Sequence, residues 1–331
     1  MYIDGISFAF WNHRQTMQLR QLLYVQEIAR HNFSVSAAAS AINTSQPGVS
    51  NQVQLLEEEL GLKIFERHGK RLLNLTPFGQ SVLALANRVL LDVDNIHKLA
   101  EDSRDDQSGI LSIGTTHTQA RYALAPAIKE FTQLYPDIHL KMVQGTPSEI
   151  TKMAETGELD IVIATEAIAK SKHLSVLPCY NWNRSVIVPA NHPLLSEKSI
   201  TIEQIAEYPI VSYMQNITGR AMQDRAFQEH NLTPNIVFTA TDADVIKTYV
   251  EMGLGIGIIA SMAFNPIKDL PLQAIDASHL FHPSTTLLGY RADSYLRAYS
   301  YAFIECFAPH LTRKVIDSRQ PHYKAPHKAT R

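Results

Sequence analysis

Residues 34–60, SVSAAASAINTSQPGVSNQVQLLEEEL, leave room for little but two short helices joined at a sharp turn. The first helix is small and alanine-rich, from about Val35 to Ile42, with a bare face of Ala38, Ala41 and Ile42 that lets another helix approach closely. Asn43, Thr44 and Ser45 break the pattern, since each can turn its side chain back onto the backbone, and Thr44 or Ser45 can cap the helix that follows. Pro47 fits the first turn of that second helix, where a missing N–H costs nothing. Val49, Val53, Leu56 and Leu60 then recur as one buried stripe. The opposite face carries Gln46, Ser50, Asn51, Gln52 and Gln54, short or medium polar side chains that donate and accept on base edges. A helix with this face behind a turn is what a helix-turn-helix places in the DNA major groove. The alternative is an ordinary helical hairpin with a solvated polar face.

At 331 residues the chain has room for two or three domains. Its net charge of −2 means that contact with nucleic acid must be local. Cys179 and Cys306 lie far apart with no CxxC spacing, which argues against a disulfide framework or a zinc site and fits a reducing cytoplasm. No apolar run approaches the ~20 residues of a membrane span. Residues 1–16 lack the basic lead and long apolar core of a signal peptide. They are either a loose arm or the product of an upstream start, because the regular pattern opens at Met17.

Leu19, Leu22, Val25 and Ile28 mark an amphipathic helix ahead of the turn motif. After Gly61, partial alternation across residues 63–76 predicts a hairpin with Arg67, His68, Lys70 and Arg71 at or near its tip. Beside a helix-turn-helix, such a basic hairpin is a wing that touches phosphate or the minor groove; by itself it reads better as a solvated surface turn. Thr76 and Pro77 start a long helix in which Val82, Ala86, Val89, Val93, Ile96 and Ala100 form a heptad seam flanked by Leu83 and Leu90. A seam without a local partner seeks a second copy of itself, so residues 77–108 read as a dimerising linker helix and charged hinge; the alternative is a core helix of the following domain.

Beyond residue 109 strands and helices alternate. Strands are expected at 110–115, 138–143, 160–164, 185–188, 209–212, 236–239 and 255–260, with helices near 118–134, 147–156, 219–230 and 243–252, which predicts parallel α/β sheets. Residues 111–165 and 210–261 run in parallel as an internal repeat, in which Glu155-Thr156-Gly157 corresponds to Glu251-Met252-Gly253. Two similar halves of this kind face each other across a cleft, with ligand at the carboxyl ends of strands. The tail after Pro309 is basic and poor in apolar residues, and is expected to be disordered.

The candidate site is the turn Thr115-Thr116-His117-Thr118-Gln119, where hydroxyls and an amide meet the positive end of a helix. Asn216-Ile217-Thr218-Gly219 repeats it in the second half, and Thr165 ends a strand on the same cleft. The competing reading is plain helix capping. Gly253-Leu254-Gly255-Ile256-Gly257 follows a helix and enters a strand, the reverse of a dinucleotide fingerprint. No metal spacing, nucleophile elbow or cofactor motif is present, so no catalytic residue, metal ligand or cofactor is expected.

The run AAASAINTSQPGVSNQVQLLEEELGLKIFERHGKRLLNLTPFGQ resembles the LysR-type transcriptional regulators, joining helix-turn-helix, wing and linker start at that family's spacing. Within the family the chain looks like the CysB/Cbl group, through TTHTQARYAL at 115–124, IATEA at 163–167, LPCYNWNR at 177–184, ITGR at 217–220 and FTATDADVIKTYVEMGLGIGIIASMA at 238–263. The resemblance implies an α/β protein with an N-terminal winged helix-turn-helix (17–76), the linker (77–108), and an effector domain of periplasmic-binding-protein type (109–310). Subdomain I would take 109–180 and 283–310, subdomain II 181–282, with a flexible basic tail at 311–331. It implies a cytoplasmic, non-enzymatic regulator that binds promoter DNA as a dimer of dimers and works with RNA polymerase. The genes are those of sulfur assimilation and cysteine biosynthesis, and the effector is N-acetylserine or a sulfate- or thiosulfate-like anion. Base contacts fall to Gln46, Ser50, Asn51 and Gln54, and phosphate contacts to Arg67, Lys70 and Arg71. Effector contacts fall to Thr116, Thr118, Gln119, Thr165, Trp182 and Thr218, of which Trp182 comes from the resemblance alone. Asn51 departs from the Lys or Arg of many relatives, a lost contact that would weaken or retune DNA binding. The alternative is a LysR-type regulator of another pathway with a different small-anion effector; a solute-binding protein and an enzyme acting on acetylserine are more distant rivals.

Overall fold

The computed structural model describes residues 17–69, 71–104, 108–215, 217 and 219–319. Contacts divide the chain into two compact units, one ending at His97 and the other beginning at Lys98. Among the described residues no helix is long and apolar enough to cross a membrane, and no group of three or more His, Cys, Asp and Glu is placed to hold a metal ion.

In the first unit, α1 (Leu19–Arg30), α2 (Val35–Ala41) and α3 (Gln46–Leu60) lead into a hairpin of β1 (Phe65–His68) and β2 (Arg71–Leu75), and then into α4 (Pro77–Ser103). Ser34 and Ser45 cap α2 and α3, each hydroxyl accepting an N–H three residues on at 3.3 Å. Between the two helices Asn43 takes a positive φ of 50°, which asparagine tolerates and which makes the turn tight. Val49, Val53 and Leu56 pack with Leu22, Val25, Ile28, Ala38 and Ala39. The close-packing alanines are Ala38, as expected, and Ala39; Ala41, expected beside Ala38, is exposed at the last position of α2. Leu19, at the first position of α1, is also exposed.

Thr76 holds the wing to α4: its hydroxyl donates to the Lys63 carbonyl at 2.7 Å and accepts from the Gly79 N–H at 2.9 Å. A Cβ at Gly79 would sit 2.0 Å from the Ile64 carbonyl oxygen, so only glycine lets α4 lie this close. The heptad seam splits. Val82, Leu83, Ala86 and Leu90 cover the core of the winged domain, whereas Leu85, Val89 and Ile96 are exposed as an apolar row along the helix.

The second unit takes the last turn of α4, then β3 (Gly109–Thr115), a π-helical turn (Gln119–Ala123), α5 (Leu124–Leu134), β4 (Ile138–Gln144), α6 (Pro147–Glu155) and β5 (Ile161–Ala164). Next come β6 (Leu174–Trp182), β7 (Arg184–Val188), α7 (Ile202–Ala206), β8 (Ile210–Tyr213), α8 (Arg220–Glu229), β9 (Ile236–Ala240), α9 (Ala243–Glu251) and β10 (Ile256–Ala260). It closes with β11 (Gln273–Asp276), β12 (Ser284–Arg291), α10 (Ala298–Phe307) and α11 (Arg313–Asp317). There are two five-stranded sheets, ordered β4-β3-β5-β12-β6 and β11-β7-β10-β8-β9. The chain crosses between them after Trp182 and again between Asp276 and Ser284. Both sheets are covered on both faces, which is why β5 (IVIA) and β10 (IGIIA) are unbroken apolar runs.

The internal repeat is present in three dimensions. β3 runs parallel between β4 and β5, and β8 runs parallel between β9 and β10. The sheets are mixed rather than parallel, because β12, β6, β7 and β11 add antiparallel pairs. These additions bind the two crossings and follow no βαβ rhythm, so β6, β11 and β12 leave no alternation signal. β6 also carries Pro178, tolerated because it lies on an edge strand where the register with β12 slips.

Two further expectations are corrected. The tail does not become irregular at Pro309: α11 follows, with Leu311 and Ile316 buried in the core of the first sheet. Residues 320–331 lie outside the described residues. The acidic start of the presumed hinge is ordered helix. Arg297 donates to Glu101 at 2.6 Å and to Asp102 at 3.3 Å, and Lys98 meets Asp160 at 3.3 Å.

Candidate functional site

On the winged domain, Gln46, Asn51 and Gln54 are exposed and Ser50 is half-buried. Gln52, by contrast, accepts from the Gln21 amide at 3.2 Å and serves packing, while Gln54 donates to Glu58 at 2.8 Å. Arg71 is exposed at the start of β2; Lys70 lies outside the described residues. Arg67 points its guanidinium at Glu57, 3.2 Å away. Glu57 is the residue that the sequence reading missed here. Its buried carboxylate also accepts from Lys63 Nζ at 3.1 Å and from the Ile64 and Phe65 N–H groups at 3.0 and 3.2 Å. Burial would raise its pKa, but these hydrogen bonds and the Arg67 charge outweigh burial and hold it below the ordinary glutamate value. Glu57 thus fixes the base of the wing to α3.

The second candidate site follows from strand register. Thr115 of β3 lies opposite Ile163 of β5, and Leu287 of β12 lies opposite Ala164, so Thr116, Thr165 and Thr286 gather at one edge of the first sheet. β6 runs antiparallel to β12 and brings Trp182 opposite Ser284 at that edge. In the other sheet Ala260 pairs with Arg184, so the carboxyl ends of β8 and β10 lie at the start of β7, where the chain has just crossed. The strand ends of both halves therefore meet at the crossings, the place where open α/β sheets bind ligands.

Thr115, Thr116, Thr118, Gln119 and Thr165 are all buried. Neither Thr118 nor Thr165 makes a capping hydrogen bond, so helix capping does not account for them. The Oγ1 atoms of Thr115 and Thr116 and the indole Nε1 of Trp182 reach no hydrogen-bond partner. Buried polar groups left in this state cost stability unless something fills the space between them. Gln119 is different: its amide donates to Thr286 Oγ1 at 2.9 Å and accepts from the Tyr180 hydroxyl at 2.5 Å. It fixes the π-helical turn that presents Thr116 and Thr118. Thr218 lies outside the described residues. Gly219, beside it, starts α8 with a φ of 84°, and any Cβ there would press on Trp182 and Arg184.

Arg184 ties the crossings together. It is buried, lies 5.0 Å from the Trp182 ring, and donates to the His282 carbonyl at 3.0 Å, Ser284 Oγ at 2.8 Å and the Gly219 carbonyl at 3.3 Å. Away from the crossings, the π-helical turn reaches α9. Arg121 pairs with Asp244 at 2.7 Å, and the Tyr122 hydroxyl donates to Asp244 at 2.6 Å. Lys247 donates to Tyr122 at 3.0 Å and to Asp269 at 2.9 Å. Burial raises the Asp244 pKa less than the bonds from Tyr122 and Lys247 and the nearby cations lower it, so it lies below the usual aspartate value. Nothing in linear sequence foretold this latch, because its partners are far apart in the chain.

Residues 104–312 match the family described as LysR substrate binding domain, and residues 19–80 the family described as bacterial regulatory helix-turn-helix protein, lysR family. The chain is 48% identical over 300 residues to the HTH-type transcriptional regulator SsuR of Burkholderia cenocepacia, covering 91% of this chain and 97% of that one. It is 48% identical over 304 residues to the HTH-type transcriptional regulator CysB of Haemophilus influenzae, covering 92% and 94%. Among solved structures, the cofactor-binding domain of the Cbl transcriptional regulator is similar with a TM-score of 0.63 and 40% identity, covering 66% of this chain and 96% of that one.

Proposed function

The chain belongs to the LysR family of bacterial transcriptional regulators, in the group of SsuR, CysB and Cbl, and on that premise we propose that it controls sulfur-assimilation and cysteine-biosynthesis genes. Its effector is N-acetylserine, or a sulfate- or thiosulfate-type anion bound in the same cleft. The observation that carries this reading is the set of buried, unbonded neutral donors, Thr115, Thr116 and Trp182 Nε1, at the strand ends. Donors without a full countercharge suit a small oxyanion or an N-acylated amino acid, whose one charge is its carboxylate. Thr118 and Thr165 line the same edge, and we assign Thr218 to the same ligand.

Gln46, Ser50, Asn51 and Gln54 read base edges of promoter DNA, while Lys70 and Arg71 hold phosphates. Arg67 reaches phosphate only with the part of its guanidinium that Glu57 does not engage. The exposed row of Leu85, Val89 and Ile96 on α4 pairs with a second copy, and such dimers join into a dimer of dimers. The effector favours one arrangement of the two subdomains, which alters how the winged helices sit on the promoter and how RNA polymerase is engaged there.

The test is calorimetric titration of N-acetylserine into the full chain, with sulfate and thiosulfate as competitors. Saturable binding that is lost in Thr118→Ala supports the effector reading. Binding of none of the three overturns it and leaves the DNA-binding family assignment intact. A promoter footprint that the bound effector leaves unchanged overturns the population shift.

A further inference from the structure

The last turn of α4 is poorly composed for a helix end. It carries Glu101 and Asp102, two carboxylates at the negative pole of the helix, and no basic residue. Such a turn frays when nothing else holds it. Here Arg297, a buried residue just ahead of α10, donates from Nη1 to Glu101 at 2.6 Å and from Nε to Asp102 at 3.3 Å. Its Nη2 donates to the Ser108 carbonyl at 3.3 Å, so one planar guanidinium grips the chain both before and after the passage from α4 into β3. The other oxygen of Asp102 accepts from the Tyr295 hydroxyl at 3.0 Å and from the Ala298 N–H, the first of α10, at 3.1 Å. Arg297 is the N-cap of α10 and its side chain makes no capping bond there, so Asp102 caps that helix from α4. The carboxylate that is misplaced on its own helix is well placed at the positive end of another. One turn earlier Lys98 meets Asp160 at 3.3 Å, and Asp160 accepts from the Ser112 N–H of β3 at 2.9 Å.

We propose that Arg297 clamps the last turn of α4 into the effector domain, so that a movement of that domain reaches the linker helix through a fixed joint and not through a hinge. The inference does not depend on which ligand the cleft holds. It depends on the fork geometry of the guanidinium, which serves two carboxylates and a carbonyl at once. A lysine there keeps the charge but has no such fork.

The experiment measures backbone hydrogen exchange in the full-length wild type, Arg297→Lys and Glu101→Gln. A peptide over residues 98–104 reports the clamp, and peptides within β5 and β12 serve as the reference. In the wild type 98–104 is protected. In Arg297→Lys it exchanges about tenfold faster, as for a lost hydrogen bond to a charged group, while the reference strands keep their rates. Glu101→Gln alters a partly exposed side chain and moves the same peptide in the same direction by less. Should Arg297→Lys unfold, Glu101→Gln decides alone. The clamp is overturned if wild-type 98–104 exchanges like an unstructured peptide, or if neither variant speeds it. It is also overturned if the reference strands accelerate equally in both variants, which would make Arg297 a residue of the general fold. Transmission is read by adding a DNA duplex that the wild type has selected from a random-sequence pool. The bound duplex changes exchange in 98–104 and in the first turn of α10 of the wild type, and the α10 change is lost in the clamp variants. If α10 of the wild type does not respond, or responds equally in the variants, the joint carries no movement and the proposal fails.

Discussion

The two sheets contain the same three-strand unit and finish its central strand in opposite ways. After β3, Thr115 and Thr116 leave buried hydroxyls unbonded and a π-helical turn follows. After β8, the turn is closed on itself: Arg220 donates to the Tyr213 carbonyl at 2.6 Å and to Asp224 at 2.7 Å. Ser212, one residue earlier, donates to Gln223 at 2.6 Å, and Gln223 donates to the Ile258 carbonyl at 3.2 Å. Among the described residues, the polar side chains that follow and precede the end of β8 bond within the fold, apart from the Tyr213 hydroxyl, whereas Thr115 and Thr116 at the end of β3 stay unbonded. Apolar pattern builds the unit twice; a few turn residues decide which copy is platform and which is receptor.

The comparison assumes that the two halves are held as a pair, and the latch on α9 tests that. Lys247→Met leaves Asp244 and Asp269 without their shared cation. We expect a loss of about 3 kcal/mol in urea unfolding, the low end for breaking a buried pair. A loss below about 1 kcal/mol would mean that the latch is ornamental. The sign with pH follows from the two partners. Asp244 has a lowered pKa when folded, so its contribution is present above the unfolded aspartate value and is lost as acid protonates it. Burial would lower the Lys247 pKa, but Asp269, Tyr122 and Asp244 outweigh it and raise it, so its contribution is complete below the ordinary lysine value and is lost as pH rises through the raised one. The gap between wild type and Lys247→Met should be flat from about pH 5 to about pH 9 and shrink below about pH 4.

The receptor-versus-platform contrast can be broken directly with one hydroxyl from each half. Ser212→Ala strands the Gln223 amide and should cost about 1–3 kcal/mol of stability, with no effect on sulfate binding. Thr116→Val removes a hydroxyl that bonds to nothing, so stability should hold or rise while sulfate affinity drops about tenfold. Equal stability losses at both sites would erase the difference between the halves.

How much of this was legible in the chain follows the same division. The helix-turn-helix, the wing and the central strands were readable, because capping residues and apolar spacing act locally. The turn at 115–119 was readable as hydroxyls at a strand end. The antiparallel strands β6, β11 and β12 were not, since they are specified by pairing across the crossings and not by any period of their own. Nor were Glu57 and Arg184, whose roles depend on burial. Glu57 opens the run Glu57-Glu58-Glu59 on α3, and only the packed wing turns it into an anchor. Gln119 was legible as a cleft residue but not as one whose amide is bound to Tyr180 and Thr286.

The smallest effect probes how deep the repeat goes. Gly157 and Gly253 end α6 and α9 with φ of 81° and 83°, the left-handed conformation in both halves. An alanine there pays the strain of a Cβ, about 1 kcal/mol, whatever surrounds it. The surroundings differ: at Gly253 nothing lies within 4 Å of the added atom, and at Gly157 the Arg291 guanidinium lies at 3.0 Å. That guanidinium is the far end of a flexible side chain and can move aside. Gly157→Ala and Gly253→Ala should therefore each destabilise by about 1 kcal/mol and agree within about 0.5 kcal/mol in urea unfolding. A much larger loss at Gly157 would show that Arg291 is fixed there and that the halves diverge at this turn. A neutral Gly253→Ala would show that the second turn relaxes out of the left-handed region, which would confine the repeat to its strands.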